Sequence, residues 1–381
     1  MDNMNILFLT HTNIEVDARI LKEMGCLADR GYNVFGFGVR NGMGAPKTTK
    51  AGGFETYLIS LYSRKLVFLP KIILHALSLV ELTAKMIFFC LRKKPDLVHC
   101  GDTLVLPLGV LIKIFTGAKV IYDAHELESE KIGLSKTLSF LTLSVEKILW
   151  RWIDALVVVS PSIARWYMDN VGKKDVEIIL NSPILPEGSV DGGDYLRKAF
   201  SIAKDSRIFL YVGVFAEGRG LDLVLEAFNS PLVRSSVVFL GYGAMTGKLK
   251  EVASKSKNIF VHDAVPHEKV VPIARSADYG LCFVENVSLS YYFSLPNKLF
   301  EYSFSGTPVL ASEFPDIKAV IDTYGIGSYC SLDVESIRSK VISLQEKGDV
   351  ARISLADLYP LSWKVQEEKL LRLYDKILLS E

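Results

Sequence analysis

The sequence lacks the features that mark disulfide-bonded, zinc-binding and redox proteins. Its 381 residues include five cysteines, an odd number, and none of them lies in a C-x-x-C pair. Neither a disulfide framework nor a zinc site is therefore predicted, and a reducing, cytoplasmic compartment is indicated. No other metal-ligand cluster is visible, so no metal is predicted. The opening strand-helix-strand also lacks G-x-G-x-x-G, which counts against a dinucleotide-dependent oxidoreductase.

The sequence also lacks an excess of charge of either sign. Lys and Arg number 44 against 43 Asp and Glu, which leaves a formal net charge of +1. That balance gives no electrostatic basis for binding nucleic acid. The first half is slightly more basic than the second, a sign that suits an approach to anionic lipid. The first ten residues, MDNMNILFLT, pass straight into a strand without a basic segment or cleavage site, so a signal peptide is not predicted.

One long hydrophobic run is present, residues 66–91, with basic residues on both sides of it. Its length alone permits a membrane span. Charged residues and a proline interrupt the run, however, and a strand-helix-strand unit resumes on both sides, so a span is rejected. A core helix and a helix lying on a membrane surface both stay open. The basic flanks favour the second, and residues 64–94 are therefore a candidate membrane contact.

The order of the patterns predicts two α/β domains. Buried-strand runs such as Asn5–Thr10 and Asn33–Val39 alternate with amphipathic helices, which indicates parallel sheets. A length of 381 residues is also too great for one core. We predict an N-terminal domain at 1–185, a Pro-, Gly- and Asp-rich linker at 186–206, and a second domain at 207–360. The Gly- and Lys-rich residues 41–53 are predicted to form a loop, and 361–381 a final amphipathic helix.

The stretch from Ala277 to Ser312 organises the second domain. It predicts a strand, a polar and aromatic loop, a short helix over Pro296–Ser305, and a second strand. Lys298 and Glu301 lie three apart and so share one helix face. One can meet a diphosphate while the other accepts hydrogen bonds from sugar hydroxyls, and Asn297 lies at the anion-attracting start of the helix. An ordinary surface ion pair is the alternative.

A glycine-bearing turn follows the first strand of the same domain. Gly213 lies near the end of that strand, and Arg219 lies between Gly218 and Gly220. Glycines permit close backbone approach to a ligand, and a planar guanidinium can grip a diphosphate with two hydrogen bonds. A solvated turn arginine is the alternative.

Polar residues also gather where the strands of the first domain end. His11, Asp102, His125 and Glu126 all follow predicted strands. The carboxyl ends of parallel strands face the ligand crevice of an open α/β sheet, so these side chains are candidates for binding substrate. His99, within its strand, is predicted to be structural.

Several of these segments resemble one family. The run PNKLFEY followed by GTPVLAS resembles the nucleotide-sugar segment of GT-B glycosyltransferases, especially the retaining enzymes of family 4. D-x-R (Asp17, Arg19), VHCGD (98–102), VIYDAHELESE (120–130) and NSP (181–183) are similar to a polysaccharide-biosynthesis subset. The resemblance implies two Rossmann-like domains facing a cleft, with the C-terminal helix crossing back to the first domain. It also implies that Glu301 holds ribose, that Lys298 and Arg219 bind the diphosphate, and that His125 approaches the reacting sugar.

The chain departs from the family pattern at two positions. Val214 stands where the first of two cations is usual, and Arg219 replaces the second, a lysine. Phe293 stands where the family has a glutamate that helps to hold the donor sugar. Glu285 is a candidate substitute, and the similar subset likewise lacks that glutamate.

The expected function is a hexosyltransferase, retaining by resemblance, that uses a nucleoside-diphosphate sugar and no separate cofactor. The expected acceptor is lipid-linked or a growing saccharide in capsule or exopolysaccharide synthesis, on the inner face of the plasma membrane. Asp17, Asp102, Glu126 and Glu285 are weaker candidates for acceptor or sugar hydroxyls. Two alternatives stay open: a nucleotide-sugar 2-epimerase-like enzyme of the same fold, and a non-catalytic membrane-associated nucleotide-sugar sensor.

Overall fold

A computed structural model describes residues 4–40, 47–51, 53–66, 68–184, 193–348, 350 and 352–379. Its contacts divide the chain into two units: residues 1–179 with 366–381, and residues 180–365. The first third of the predicted linker, residues 186–192, lies outside the described residues. The part of it that is described contains a short helix at 195–199.

The first unit is built on one sheet of eight strands: β1 (Asn5–Leu9), β2 (Asn33–Val39), β3 (Lys47–Ala51), β4 (Phe54–Ile59), β5 (Leu97–Cys100), β6 (Lys119–Ala124), β7 (Ala155–Val158) and β8 (Asp175–Ile178). Their order is β3-β4-β2-β1-β5-β6-β7-β8. All neighbours are parallel except β3 and β4. The helices that connect them are α1 (Ala18–Asp29), α2 (Lys71–Lys93), α3 (Leu106–Thr116), α4 (Lys136–Leu149) and α5 (Pro161–Asn170).

The prediction of a loop at 41–53 is wrong for residues 47–51. Residues 41–46 lie outside the described residues, but Lys47–Ala51 form the edge strand β3, antiparallel to β4. Gly53 closes the turn with a φ of 78°, a left-handed conformation that glycine adopts without a steric cost. The Gly and Lys residues suggested a loop, but this short Thr-containing segment forms a strand because it pairs with β4.

The second unit carries six strands: β9 (Ile208–Val214), β10 (Ser236–Tyr242), β11 (Ile259–Asp263), β12 (Tyr279–Cys282), β13 (Val309–Ser312) and β14 (Gly327–Cys330). They form an all-parallel sheet in the order β11-β10-β9-β12-β13-β14. Its helices are α6 (Tyr195–Ala199), α7 (Leu221–Phe228), α8 (Thr246–Lys255), α9 (Val270–Ala274), α10 (Leu289–Tyr292), α11 (Asn297–Phe304), α12 (Pro315–Tyr324) and α13 (Val334–Gln345). The prediction of two Rossmann-like α/β units is therefore confirmed.

The last helix, α14 (Trp363–Leu379), joins the first unit through a buried ionic cluster. The Tyr374 hydroxyl lies 2.6 Å from Nδ1 of His99, which is fully buried. His99 Nε2 lies 3.5 Å from Asp123, and the Arg19 guanidinium donates two hydrogen bonds to that carboxylate. His99 is thus structural, as the sequence predicts.

The same cluster contains the group of described side chains with the spacing of a metal site: Glu23, His99 and Asp123. The Arg19 Nε lies 3.1 Å from Glu23 and 2.9 Å from Asp123, so the guanidinium already supplies the positive charge between the two carboxylates. The burial of Glu23 raises the pKa of its carboxyl, and this also favours a neutral acid there. We assign the group to stability.

Replacing Arg19 by Met is expected to destabilise the first unit by about 3–5 kcal/mol, because the buried Asp123 carboxylate loses its guanidinium and two hydrogen bonds. The measurement is the urea midpoint of the transition that includes the first unit. The control is Arg234→Ala, which removes an exposed pair with Glu346 and should cost less than about 1 kcal/mol. Equal midpoints for the two variants would contradict the assignment.

Helix α2 is exposed along its N-terminal half. Ile72, Ile73, Leu77 and Val80 are between 40% and 66% exposed, whereas Leu82 and Met86 are buried. Within the described residues, no helix combines the length and apolar character that crossing a bilayer requires. The second half of α2 packs into the unit, and the first half leaves an apolar surface without a partner among the described residues of its own unit.

Candidate functional site

Helix α11 carries the two residues that the sequence singled out, and it is almost wholly buried. Seven of its eight residues are buried, only Asn297 being exposed. The Tyr302 hydroxyl fixes it to the sheet, because it accepts the N–H of Val212 and donates to the carbonyl of Leu210, both at 2.8 Å. A side chain at Gly280 would lie within 2.2 Å of the Tyr302 ring, so glycine is required there. These contacts hold the helix against β9 and β12.

Lys298 is a buried ammonium that has no counter-ion in the part of the chain that the structure describes. Its side chain is 8% exposed, and Nζ has no hydrogen-bond partner among the described residues. Nζ lies 3.8 Å from the centre of the Tyr211 ring, a cation–π contact. Burial, assisted by the positive charge of Arg219, lowers the pKa of Lys298 to about 8. The surface ion pair with Glu301 that the spacing allowed is not formed.

Arg219 lies in the turn that enters α7, between two glycines in the left-handed region, Gly218 (φ 79°) and Gly220 (φ 70°). Its guanidinium lies 4.7 Å from the centre of the Tyr291 ring. Within the described part of the chain, neither Arg219 nor Lys298 forms an ion pair with a carboxylate. Two neighbouring cations backed by tyrosine rings are costly to keep unpaired. An anion would recover that free energy, so these two side chains are a candidate anion site, called the anion site below.

Glu301 lies one helical turn beyond Lys298 and is 6% exposed. Its Oε1 lies 3.7 Å from Nδ1 of His267, an exposed side chain in the short turn before α9. Sequence reasoning missed His267, because a histidine in a polar turn between β11 and α9 carries no periodic signal. Only the tertiary structure brings it to Glu301.

The remaining predicted residues of this unit lie around the anion site in different roles. Asn297, at the first position of α11, is exposed. Gly213 has a φ of 132° at the end of β9, which favours glycine there. Val214, where the family has a cation, is 48% exposed. The carboxylate of Glu285 accepts the N–H of Gly220 at 2.9 Å, so one of its oxygens is already used within the protein.

In the first unit, Asp102 has a task different from the predicted one. It is 1% exposed, and its Oδ1 accepts the N–H groups of Leu104 and Val105. Its Oδ2 accepts the N–H of His11 and lies 2.6 Å from the His11 ring. Burial would lower the pKa of His11, but the carboxylate outweighs it and raises that pKa. The prediction that Asp102 contacts an acceptor directly is therefore corrected: its buried carboxylate supports His11.

Asp17 also has a structural task. Its Oδ1 accepts the N–H groups of Arg19 and Ile20 and so caps α1. That Asp17 binds a sugar hydroxyl stays a prediction, and only its second carboxylate oxygen, Oδ2, is considered for it.

His125 and Glu126 follow β6, as the sequence predicted. His125 is half-buried and Glu126 is exposed. Close by, Lys131 lies 2.6 Å from Glu128 and 3.4 Å from Glu126. Burial raises the pKa of the Glu128 carboxyl, although the positive charge of Lys131 opposes that rise. Imidazole and carboxylate groups thus gather after the ends of β1, β5 and β6 in this unit.

Comparisons with known proteins agree across both units. Residues 206–347 match the family model described as glycosyl transferases group 1, and residues 20–182 match glycosyltransferase family 4. No curated protein matches in a sequence comparison.

Solved structures match over almost the whole chain. Sucrose-phosphate synthase from Thermosynechococcus elongatus superimposes with a TM-score of 0.79 at 16% identity, covering 98% of this chain and 99% of that one. HepE of Anabaena, in complex with UDP-glucose, gives a TM-score of 0.72 at 12% identity, with 98% and 100% covered. The lipopolysaccharide outer core galactosyltransferase WaaB gives 0.62 at 14%, with 98% and 97% covered.

Proposed function

Since its two units carry a family 4 and a group 1 domain in a GT-B fold, this chain is a family 4-like glycosyltransferase, and we propose that its anion site holds the donor's diphosphate. The observation that carries the proposal is the pair of uncompensated cations, Lys298 and Arg219. A diphosphate supplies the missing negative charge. Because negative charge grows on the departing diphosphate during transfer, the same cations stabilise the transition state more than the bound donor.

The ribose is assigned to Glu301. Its carboxylate lies a helical turn from Lys298 and is the group there that can accept hydrogen bonds from two hydroxyls. His267, 3.7 Å away, is close enough to take part. The HepE structure contains UDP-glucose, which supports a nucleotide-sugar ligand for this fold.

The finer activity is the transfer of a hexosyl group with retention to a lipid-linked or saccharide acceptor in cell-surface polysaccharide synthesis. The galactosyltransferase among the similar structures is named for lipopolysaccharide outer core, which supports an acceptor of this class. His125 approaches the reacting sugar, and Glu126 and His11 are available for acceptor hydroxyls. No metal and no separate cofactor take part in this proposal, because Lys298 and Arg219 supply the positive charge.

The experiment is calorimetric titration of the purified protein with UDP, GDP, ADP and CMP. Binding of one nucleoside diphosphate is expected and identifies the donor class. Binding of none would overturn the donor assignment. Binding of a nucleotide sugar with neither transfer nor epimerisation would favour the sensor alternative, and conversion without an acceptor would favour the epimerase-like one.

We also propose that helices of the first unit contact an anionic membrane surface. Helix α3 packs against both α2 and α4. Large apolar side chains on and beside these helices are between 40% and 78% exposed: Phe68, Ile72, Ile73, Leu77, Val80, Ile114, Phe115, Phe140, Leu141 and Ile148. A patch of exposed apolar side chains of this kind marks an interaction surface.

The charge around this patch selects anionic lipid as the partner. Residues 63–94, 106–116 and 136–152 contain eleven Lys and Arg but two Glu, in a chain whose net charge is +1. One of those two, Glu146, is fully buried. Basic residues beside exposed apolar ones are the combination that holds a protein on an acidic bilayer. In this proposal the acceptor and the enzyme share one surface, the inner face of the plasma membrane.

Vesicles of phosphatidylcholine with phosphatidylglycerol are expected to co-sediment with the protein, and pure phosphatidylcholine vesicles to do so at least tenfold less. Each basic residue near the surface contributes about 1 kcal/mol, so Lys136→Glu with Lys147→Glu should weaken binding by about tenfold or more. The matched control is Lys248→Glu with Lys255→Glu, two exposed lysines of the second unit. Equal binding to both vesicle types would contradict the lipid surface, and association of the protein with itself would replace it by a protein interface.

A further inference from the structure

The turn that carries Arg219 is tied to the loop after β12 by two hydrogen bonds. The N–H of Glu285 donates to the carbonyl of Gly218 at 2.9 Å. Its carboxylate Oε1 accepts the N–H of Gly220, also at 2.9 Å. Glu285 therefore holds the residue before Arg219 and the residue after it. Tyr291, on the short helix α10 that follows this loop, lies with its ring against the guanidinium.

The turn needs such a tie because its own backbone is permissive. Gly218 and Gly220 both have positive φ, and glycine loses more conformational freedom on folding than any other residue. A Cβ at Gly220 would lie 2.9 Å from the Cβ of Phe283, so the turn is pressed against the end of the strand. Without an external partner, an arginine between two glycines would sample many positions.

The second hydrogen bond has another consequence. Gly220 is the N-cap residue of α7, and the first N–H groups of a helix are those that ordinarily receive an anion. A carboxylate already occupies the Gly220 N–H, and its negative charge disfavours a phosphate beside it. In this chain the phosphates must therefore depend on the side chains of Arg219 and Lys298.

We infer that Glu285 is a positioning residue for Arg219 and that it does not replace the family's missing donor-sugar glutamate at Phe293. Tyr291 shares this task by limiting where the guanidinium can lie. The inference rests on the proposed function and deepens it: this loop sets the preference of the site for two phosphates over one. Glu285 acts through Arg219 and does not touch the donor.

The experiment compares UDP, UMP and UDP-glucose by calorimetry, or the corresponding set for whichever base the wild type binds. Glu285→Ala is expected to lower diphosphate affinity by about tenfold, the scale of one impaired charge-assisted hydrogen bond, and to leave monophosphate affinity unchanged. Glu285→Gln keeps an oxygen that can accept the Gly220 N–H, so it should retain the diphosphate affinity. Tyr291→Phe should likewise retain it, and Tyr291→Ala should lose part of it. Glu313→Ala, which removes an exposed carboxylate paired with Lys318, is the control.

Other outcomes overturn the inference. If Glu285→Ala and Glu285→Gln both weaken UDP-glucose but not UDP, Glu285 is a sugar ligand. If Glu285→Ala weakens UDP and UMP equally, its effect is structural and has no bearing on Arg219. A wild type that binds no diphosphate defeats the proposed function as well, whereas binding that is unaffected by all four variants defeats this inference alone.

Discussion

Replacing Lys298 by Ala is expected to abolish transfer and to weaken nucleoside diphosphate binding by about 2–3 kcal/mol, roughly 30- to 150-fold. Lys298 is a buried cation whose Nζ has no hydrogen-bond partner among the described residues, and the proposed diphosphate would supply one. Removal of a group that stabilises developing charge should lower turnover by about 10²–10³. Calorimetry and an assay of diphosphate release measure the two effects.

Lys298→Met is the matched variant for folding. It fills the same space without the charge, and replacing an unpaired buried ammonium by an apolar chain should leave the melting temperature unchanged or raised. Lys255→Ala, on the surface of the same unit, controls for the loss of a lysine. Unchanged affinity in Lys298→Met, with the fold intact, would contradict the phosphate assignment.

The same site predicts a pH dependence with a definite sign. The pKa of Lys298 is lowered to about 8, so in the free protein the ammonium loses its proton as pH rises through about 8. A diphosphate binds the protonated form and restores the higher pKa. Affinity should therefore fall by up to about tenfold per pH unit above about pH 8, with uptake of a proton on binding. Lys298→Met should remove both the slope and the proton uptake.

Replacing His125 by Ala is expected to lower turnover by about 100-fold while the affinity for nucleoside diphosphate stays within about twofold. His125 lies at the end of β6 in the first unit, and the anion site belongs to the second, so the effect should appear in the chemical step. The measurement is the rate of diphosphate release with a membrane lipid extract as the source of acceptor, beside a binding titration.

His262→Ala is the control for this prediction, because His262 lies in the second unit and is hydrogen-bonded to Tyr195. A variant of His125 that binds the nucleotide more weakly and turns over normally would remove His125 from the reacting centre. A variant that changes neither quantity would leave the imidazole without a role in transfer.

Local patterns were enough to place most elements and the residues at their ends. The alternation of apolar strands with amphipathic helices predicted both sheets, and the helix with Lys298 and Glu301 was placed within one residue of its observed bounds. The positions of His125 after β6 and of Arg219 after β9 could be predicted, because strand ends and glycine turns are recognisable from a few consecutive residues. The β3–β4 hairpin was not predicted, because a short polar edge strand depends on its partner strand more than on its own residues.

The sequence by itself determined the fold class and the chemical identity of the candidate groups, because periodicity and turn residues act over short distances along the chain. The tertiary structure decided which of those groups keep an unpaired charge. Arg19 pairs with Asp123 across 104 residues, Glu285 ties a turn 65 residues away, and Asp102 supports a histidine 91 residues away. Lys298, by contrast, contacts a tyrosine ring and pairs with no carboxylate among the described residues. Counter-charges come from segments that are distant in sequence, so only folding distinguishes a structural cation from one that is available to a substrate.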